Sequence, residues 1–241
     1  MNIAGTITKR IITIEEGTIF SYKDFTPFEN KMGATAAILS RLAAKGIIKR
    51  FSKGMYYKPQ NGVFGEVPLQ EDQVLESILK KSGNKAAYLT GTMVYNKMGF
   101  TTQIANEYVV ATGEFCKPIQ KGRIKVRFVK AYCAVEKKYI PLLQLLDVVK
   151  DIRNIPGTDP NSTLQLLKIK LKELSLTGQK KLAQLALNYP PSTRALTGAL
   201  LELNSNVQLT TKLYKSLNLI SKYKPGISNS ILPNRDKWKI G

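Results

Sequence analysis

The chain has 241 residues, 37 Lys and Arg against 17 Asp and Glu, a net charge of +20, 43% hydrophobic residues and no histidine. That apolar content can fill real cores and argues against global disorder, while the absent histidine excludes Ser-His-Asp triads, Cys-His pairs and His-bearing zinc sites. A balance this basic points to a polyanion, most often nucleic acid, and it is spread along the whole chain rather than gathered in one tail. No apolar stretch approaches the ~18 residues needed to cross a bilayer, and the N-terminus lacks the basic-then-apolar pattern of a secretory signal. Two cysteines without a CxxC pair, Cys116 and Cys133, suit reduced thiols and a cytoplasmic setting. Neither GxxxxGK[ST] nor GxGxxG occurs, and no cofactor or metal site is expected.

In chain order, Ile3, Ile7 and Ile11 fall four apart, with Ile14 closing the series, which predicts a first helix broken at Gly17. Thr18-Ile19-Phe20 is a short extended piece. Ser21-Tyr22-Lys23-Asp24 fits a capping box, a hydroxyl first and a carboxylate three residues on, and predicts a short second helix ending near Pro27. A third helix is expected from about Lys31 to Lys45. Ile38, Leu39 and Leu42 form its buried face, and Gly46 stands where a left-handed residue ends a helix. Ile47–Phe51 and Met55–Lys58 flank Ser52-Lys53-Gly54, the pattern of a two-stranded hairpin turning at glycine. Tyr56 and Tyr57 are adjacent, so one should pack on the core and the other face outward.

Helix, strand, helix, helix and hairpin is the order of a winged helix-turn-helix, in which the third helix enters the major groove and the wing flanks the backbone. On that reading Lys31, Ala37, Ser40, Arg41 and Lys45 face DNA from the helix, and Lys49, Arg50, Lys53 and Lys58 meet phosphates from the hairpin. Ala34, Ala36 and Ala37 make the helix poor in hydrogen-bonding groups, so phosphate contacts should supply most of the affinity.

Residues 60–68 read as a linker. Beyond it Val74, Ile78 and Leu79 mark a helix ending at Ser82-Gly83-Asn84; residues 86–89, a Thr-Gly-Thr turn and a short helix through Met98 follow, and strands are expected near 107–111 and 125–129. Residues 123–130 alternate basic with apolar, a half-buried strand with one cationic face. Arg123, Lys125 and Arg127 on that face are candidate partner-binding residues. From Pro141 the spacing turns helical through Ile152. Leu164, Leu167, Leu171, Leu174, Leu182, Leu185, Leu196, Leu200 and Leu203 then describe short packed helices rather than a zipper, since Gly178 and Pro190 interrupt them. Residues 222–239 are basic and contain the single tryptophan, Trp238, as a packed tail or a second anionic contact. The expected fold is α+β, with a winged helix-turn-helix (1–60), a middle α+β domain (67–155) and a helical C-terminal region with a basic tail (156–241).

Leu39-Ser40-Arg41-Leu42 through Gly46, Lys53-Gly54-Met55-Tyr56-Tyr57-Lys58-Pro59, Tyr88-Leu89-Thr90-Gly91-Thr92 and Met98-Gly99-Phe100-Thr101 together resemble the AbiEi-type antitoxins of type IV toxin–antitoxin (abortive infection) systems. Tyr189-Pro190-Pro191-Ser192-Thr193-Arg194-Ala195-Leu196 and Leu232-Pro233 resemble the tail of a related bacterial group. The resemblance implies a transcriptional autorepressor that binds its operator DNA, and a C-terminal region that neutralises a nucleotidyltransferase-like toxin from the adjacent gene. The absence of histidine and a lone E-x-K lead to the expectation of no enzymatic activity. Two alternatives stand beside it. One is a Mg²⁺-dependent nuclease built on the E-x-K of Glu136-Lys137-Lys138, for which no carboxylate is found in residues 123–135. The other is a nucleic-acid-binding protein without an antitoxin role.

Overall fold

The computed structural model describes residues 3–25, 32–63, 65–67, 69, 71–81, 87–114, 116–121, 124–203, 207–218 and 220–241. The fold is mixed α+β. It divides into two compact units rather than three segments, one of residues 1–84 with 119–124, the other of residues 85–118 with 125–241.

In the first unit, α1 (Ile3–Thr13) buries Ile7 and Ile11 completely, as the four-residue spacing requires. Strand β1 (Ile19–Ser21) leads into a single 3-10 turn, Tyr22–Asp24. Here the capping box closes its return bond, the Ser21 N–H donating to the Asp24 carboxylate at 2.6 Å. The expected second helix is only this turn among the described residues, and residues 26–31, Lys31 included, lie outside them. Next comes α2 (Met32–Ala44), burying Thr35, Ile38, Leu39 and Leu42. It ends in a left-handed glycine, Gly46, at φ +74°. The Ile47 N–H reaches Leu42 O and the Gly46 N–H reaches Ala43 O, both at 3.1 Å, which satisfies two carbonyls the helix end leaves open.

Strands β2 (Lys49–Ser52) and β3 (Met55–Tyr57) form the hairpin, turning at Lys53-Gly54, and β3 also pairs with β1. The result is a three-stranded antiparallel sheet in the order β1-β3-β2. Residues 60–68 are not a plain linker. Gln60–Gly62 (β4) and Gly65–Val67 (β5) pair as a second small hairpin, with Gln60 opposite Val67. Helix α3 (Glu71–Lys81) then packs beside β1 and buries Val74, Leu75 and Ile78. These contacts carry the first unit past residue 60.

In the second unit, β6 (Tyr88–Thr90) is followed by a short α4 (Thr92–Lys97) and by β7 (Tyr108–Thr112). Strand β9 (Ile124–Lys130) enters this unit from Lys125 onward, and β8 (Ile119–Lys121) before it falls, with Ile124, among the residues of the first unit. β7 runs antiparallel to β6 and parallel to β9. Along β9, Ile124 and Val126 are buried while Lys125 and Arg127 are exposed, the alternation expected of a half-buried strand with a cationic face. Five helices follow: α5 (Ile140–Asp151), α6 (Pro160–Lys172), α7 (Leu176–Ala186), α8 (Pro191–Leu203) and α9 (Val207–Lys215). Asp159 and Ser175 cap α6 and α7, accepting from backbone N–H groups of the first turn. One core runs from Tyr88 to Ile240, so the middle and C-terminal stretches fold together. Their apolar faces have no separate partner, which explains why no boundary falls near residue 155. The basic tail is packed: Trp238 is fully buried, and Tyr223 and Ile240 pair as a parallel bridge.

Candidate nucleic-acid interface

Four of the residues read as DNA-facing are exposed, Ala37, Ser40 and Arg41 on α2 and Lys45 just beyond its end. Lys31 lies outside the described residues. Met32, Gly33 and Ala34 are exposed too, so the open face of α2 is small and uncharged at its start and cationic only at its end. Arg41 turns back along its own helix, its Nε donating to Ala37 O at 3.4 Å. On the hairpin, Arg50 and Lys53 are exposed, and the register of β2 against β3 shifts between Arg50 and Ser52. Such an irregularity bends the strand and re-aims its side chains.

Two hairpin cations serve the unit itself. The Lys58 ammonium donates to Ile12 O at 2.9 Å and Ile14 O at 3.0 Å, capping the negative end of α1. Lys49 is ion-paired with Glu66 on β5. Glu66 also corrects the expectation for the tyrosines: both Tyr56 and Tyr57 are buried. The Tyr57 hydroxyl donates to Glu66 Oε1 at 2.8 Å, so the second face of β3 is closed where an open wing was expected.

Burial, reinforced by the Glu66 hydrogen bond and charge, pushes the Tyr57 phenol from 10.0 up to about 12. The fold therefore favours the neutral phenol. Its stabilising contribution is complete below pH 10 and is lost as pH rises towards 12. A ¹³C-tyrosine NMR titration should show one first-unit phenol titrating near 12. Glu66→Gln should move it down without returning it to 10, because burial remains. A Tyr57 resonance that titrates at 10 in the unaltered protein would contradict the closed hairpin.

In the second unit, Arg127 donates from Nε to Glu107 Oε1 at 2.7 Å, Lys125 is exposed, and Arg123 is outside the described residues. Arg127 and Glu107 line a cavity of about 350 Å³ with Thr90, Gly91, Thr92, Tyr95, Lys150 and Asp151. Its charges are already paired: Lys150 lies 3.4 Å from Asp151, and Tyr95 donates to Asp151 at 2.7 Å. Gly91 is required there, since it sits at φ +76° and a Cβ would fall 2.8 Å from Val109 Cγ2. Beneath it lies Asp147, a residue the sequence reading passed over. It is 2% exposed and accepts from Tyr88 at 2.8 Å, Thr90 at 2.7 Å and Tyr189 at 3.1 Å. Glu136 sits on the surface in an ion pair with Lys138 at 3.2 Å. Among the described residues, no group of three acidic or cysteine side chains is gathered that could hold a metal ion.

Residues 6–150 match the model of a family described as "Family of unknown function (DUF6088)". The chain belongs to that family. The DUF6088 match takes in the first-unit sheet, the Thr90-Gly91-Thr92 turn and Asp147, and stops at Lys150 near the end of α5. No curated protein matches the chain. Among solved structures it is similar to a crystal structure of the RV2827C protein from Mycobacterium tuberculosis, at 12% identity and a TM-score of 0.47, over 90% of this chain and 82% of that one.

Proposed function

We propose that this DUF6088 protein is a cytoplasmic DNA-binding autorepressor whose first unit is a winged helix-turn-helix. The observation that carries the reading is the first-unit arrangement: α1, β1, α2 and the β2–β3 hairpin around a β1-β3-β2 sheet. That arrangement leaves Arg41, Lys45, Arg50 and Lys53 exposed at the end of α2 and along the adjoining hairpin. A chain charge of +20 supplies the long-range attraction. Because the open face of α2 carries few hydrogen-bonding groups, phosphate contacts dominate and base readout is modest.

Fluorescence anisotropy against the DNA upstream of the protein's own gene tests it. Each neutralised phosphate contributes about −0.9 to the slope of log K against log salt. The combined Arg41→Ala, Arg50→Ala, Lys53→Ala variant should weaken binding at least tenfold and flatten the slope by roughly 3. An affinity insensitive to salt, or a variant that binds like the parent, would overturn the reading.

The resemblance to AbiEi-type antitoxins supports a second role, neutralisation of a nucleotidyltransferase-like toxin encoded alongside. That role belongs to the second unit, where Lys125 is an exposed contact candidate. The same triple variant separates the two: colony survival during co-expression with the neighbouring gene should stay at the parent level while repression of a reporter is lost. Loss of survival with an intact, abundant variant would place neutralisation in the first unit instead. The nuclease alternative would rest on Glu136, which lies at the surface beside Lys138 at 3.2 Å.

A further inference from the structure

Away from the first unit, the second unit holds a cavity of about 440 Å³ whose charged lining is entirely cationic. Lys150 and Arg153 come from the end of α5 and just beyond it, and Lys222 and Lys224 come from the chain after α9. Lys150 is answered by Asp151 and Asp147. For Arg153, Lys222 and Lys224 no acidic partner is present among the described residues. Like charges around one opening repel each other unless an anion enters.

Two further features belong to this cavity. Ser192, in the first turn of α8, lines it, and so does Tyr223, whose hydroxyl is itself closed off from solvent and out of a ligand's reach. The cationic rim is also held in place: the Tyr223 N–H donates to Lys239 O at 2.7 Å and the Gly241 N–H to Tyr223 O at 2.8 Å. Ile152, Leu196 and Pro225 add an apolar wall. Three unanswered cations, a serine hydroxyl and an apolar wall suit a compact anion of high charge on a small organic body.

We propose that this cavity binds the diphosphate group of a small phosphorylated molecule, with Arg153, Lys222 and Lys224 taking its charge and Ser192 donating to its oxygens. The site is independent of the DNA-binding reading. Isothermal titration of the full chain with inorganic pyrophosphate and with ADP, at about 0.15 M ionic strength where the Debye length is ~8 Å, tests it. Saturable one-site binding is expected, weakened at least tenfold in the combined Arg153→Ala, Lys222→Ala, Lys224→Ala variant. The Ser192→Ala variant should weaken it several-fold. The three cations are exposed, so the triple variant should keep the buried Trp238 emission of the parent. ADP binding at least as tightly as pyrophosphate would place the organic body on the apolar wall, and pyrophosphate alone binding would make the inorganic anion the ligand. Both support the site. The absence of saturable binding would overturn it, as would a triple variant that titrates like the parent. So would displacement of pyrophosphate by a single-stranded oligonucleotide from a site destroyed in the triple variant, which would assign the surface to nucleic acid.

Discussion

Replacing Gly198 with alanine is expected to destabilise the second unit by roughly 2–4 kcal/mol and to shift the emission of Trp238 to the red. In most helices the same change is favourable by up to ~1 kcal/mol, because alanine loses less backbone freedom on folding. Here the sign reverses. A Cβ on Gly198 would lie 2.8 Å from Trp238 Cε3 and closer still to Cζ3 and Cη2. The indole cannot retreat without cost: it is fully buried, its Nε1 donates to Glu202 Oε2 at 2.9 Å, and Tyr214 stacks edge-on at 5.6 Å. Burial opposes the charge on Glu202, but Lys237, Trp238 and Asn234 outweigh it and hold the carboxyl below its usual value. The alanine must therefore displace either the ring or helix α8. Trp238 is the single tryptophan, so fluorescence reports the event directly. Gly178→Ala is the control: its Cβ meets nothing nearer than 3.4 Å, and the midpoint of urea unfolding should stay or rise slightly. A Gly198→Ala protein with unchanged emission and an undiminished midpoint would mean that the tail does not sit on α8.

That anchoring gives the basic C-terminal stretch its role in the fold. Asn234 Nδ2 donates to Ala199 O at 3.0 Å and Glu202 Oε2 at 2.9 Å, and Lys168 donates to Ile231 O. The tail uses several of its polar groups internally and stitches α6 and α8 together, leaving Lys222 and Lys224 for the cavity described above.

Local signals in the sequence were legible where they are self-contained. The isoleucine spacing of α1, the Ser21–Asp24 box and the glycine end of α2 each involve residues within a few positions of one another, and the structure realises all three. What escaped is non-local. Residues 60–68 look like a linker because their apolar content is low, yet Glu66 reaches back to Tyr57 and Lys49 and turns the stretch into a covering hairpin. Lys58 looks like a phosphate ligand until α1 supplies two carbonyls for it. Asp147 had one visible sign, an acid inside the run Leu145-Leu146-Asp147-Val148-Val149, with every member buried. Its partners Tyr88, Thr90 and Tyr189 lie in the motifs that carry the family resemblance. Only folding shows that they converge on one carboxylate.

That convergence makes Asp147→Ala the second large expected effect, a loss of about 3–5 kcal/mol. Tyr88, Thr90 and Tyr189 all donate to this carboxylate, and alanine would take that acceptor from three buried hydroxyls, leaving Tyr189 only Leu143 O at 3.4 Å and Tyr88 only the Tyr189 hydroxyl at 3.5 Å, where each good bond is worth roughly 1 kcal/mol or more. Lys150, 3.9 Å from Asp147, would lose part of its counter-charge as well. Asp147→Asn keeps an acceptor oxygen and the shape, so it should cost much less. The two variants also differ in their pH dependence. Burial raises the Asp147 carboxyl above its ordinary 3.8, and Lys150 with the three hydroxyls offsets this only in part. The fold thus binds this proton more tightly than the unfolded chain does. Its contribution is fully present below the ordinary carboxylate value and is lost as pH rises through the raised one. The asparagine variant has no such titration, so its urea midpoint relative to the parent should improve from acid towards neutral pH. Trp238 fluorescence in urea series at several pH values measures both quantities. An Asp147→Ala protein within 1 kcal/mol of the parent, set against the ~3 kcal/mol expected when three hydroxyls lose their carboxylate, would show that the longer bonds to Leu143 O and between the two tyrosines replace it. A parent–asparagine difference that stays flat with pH would show that the carboxyl is not raised.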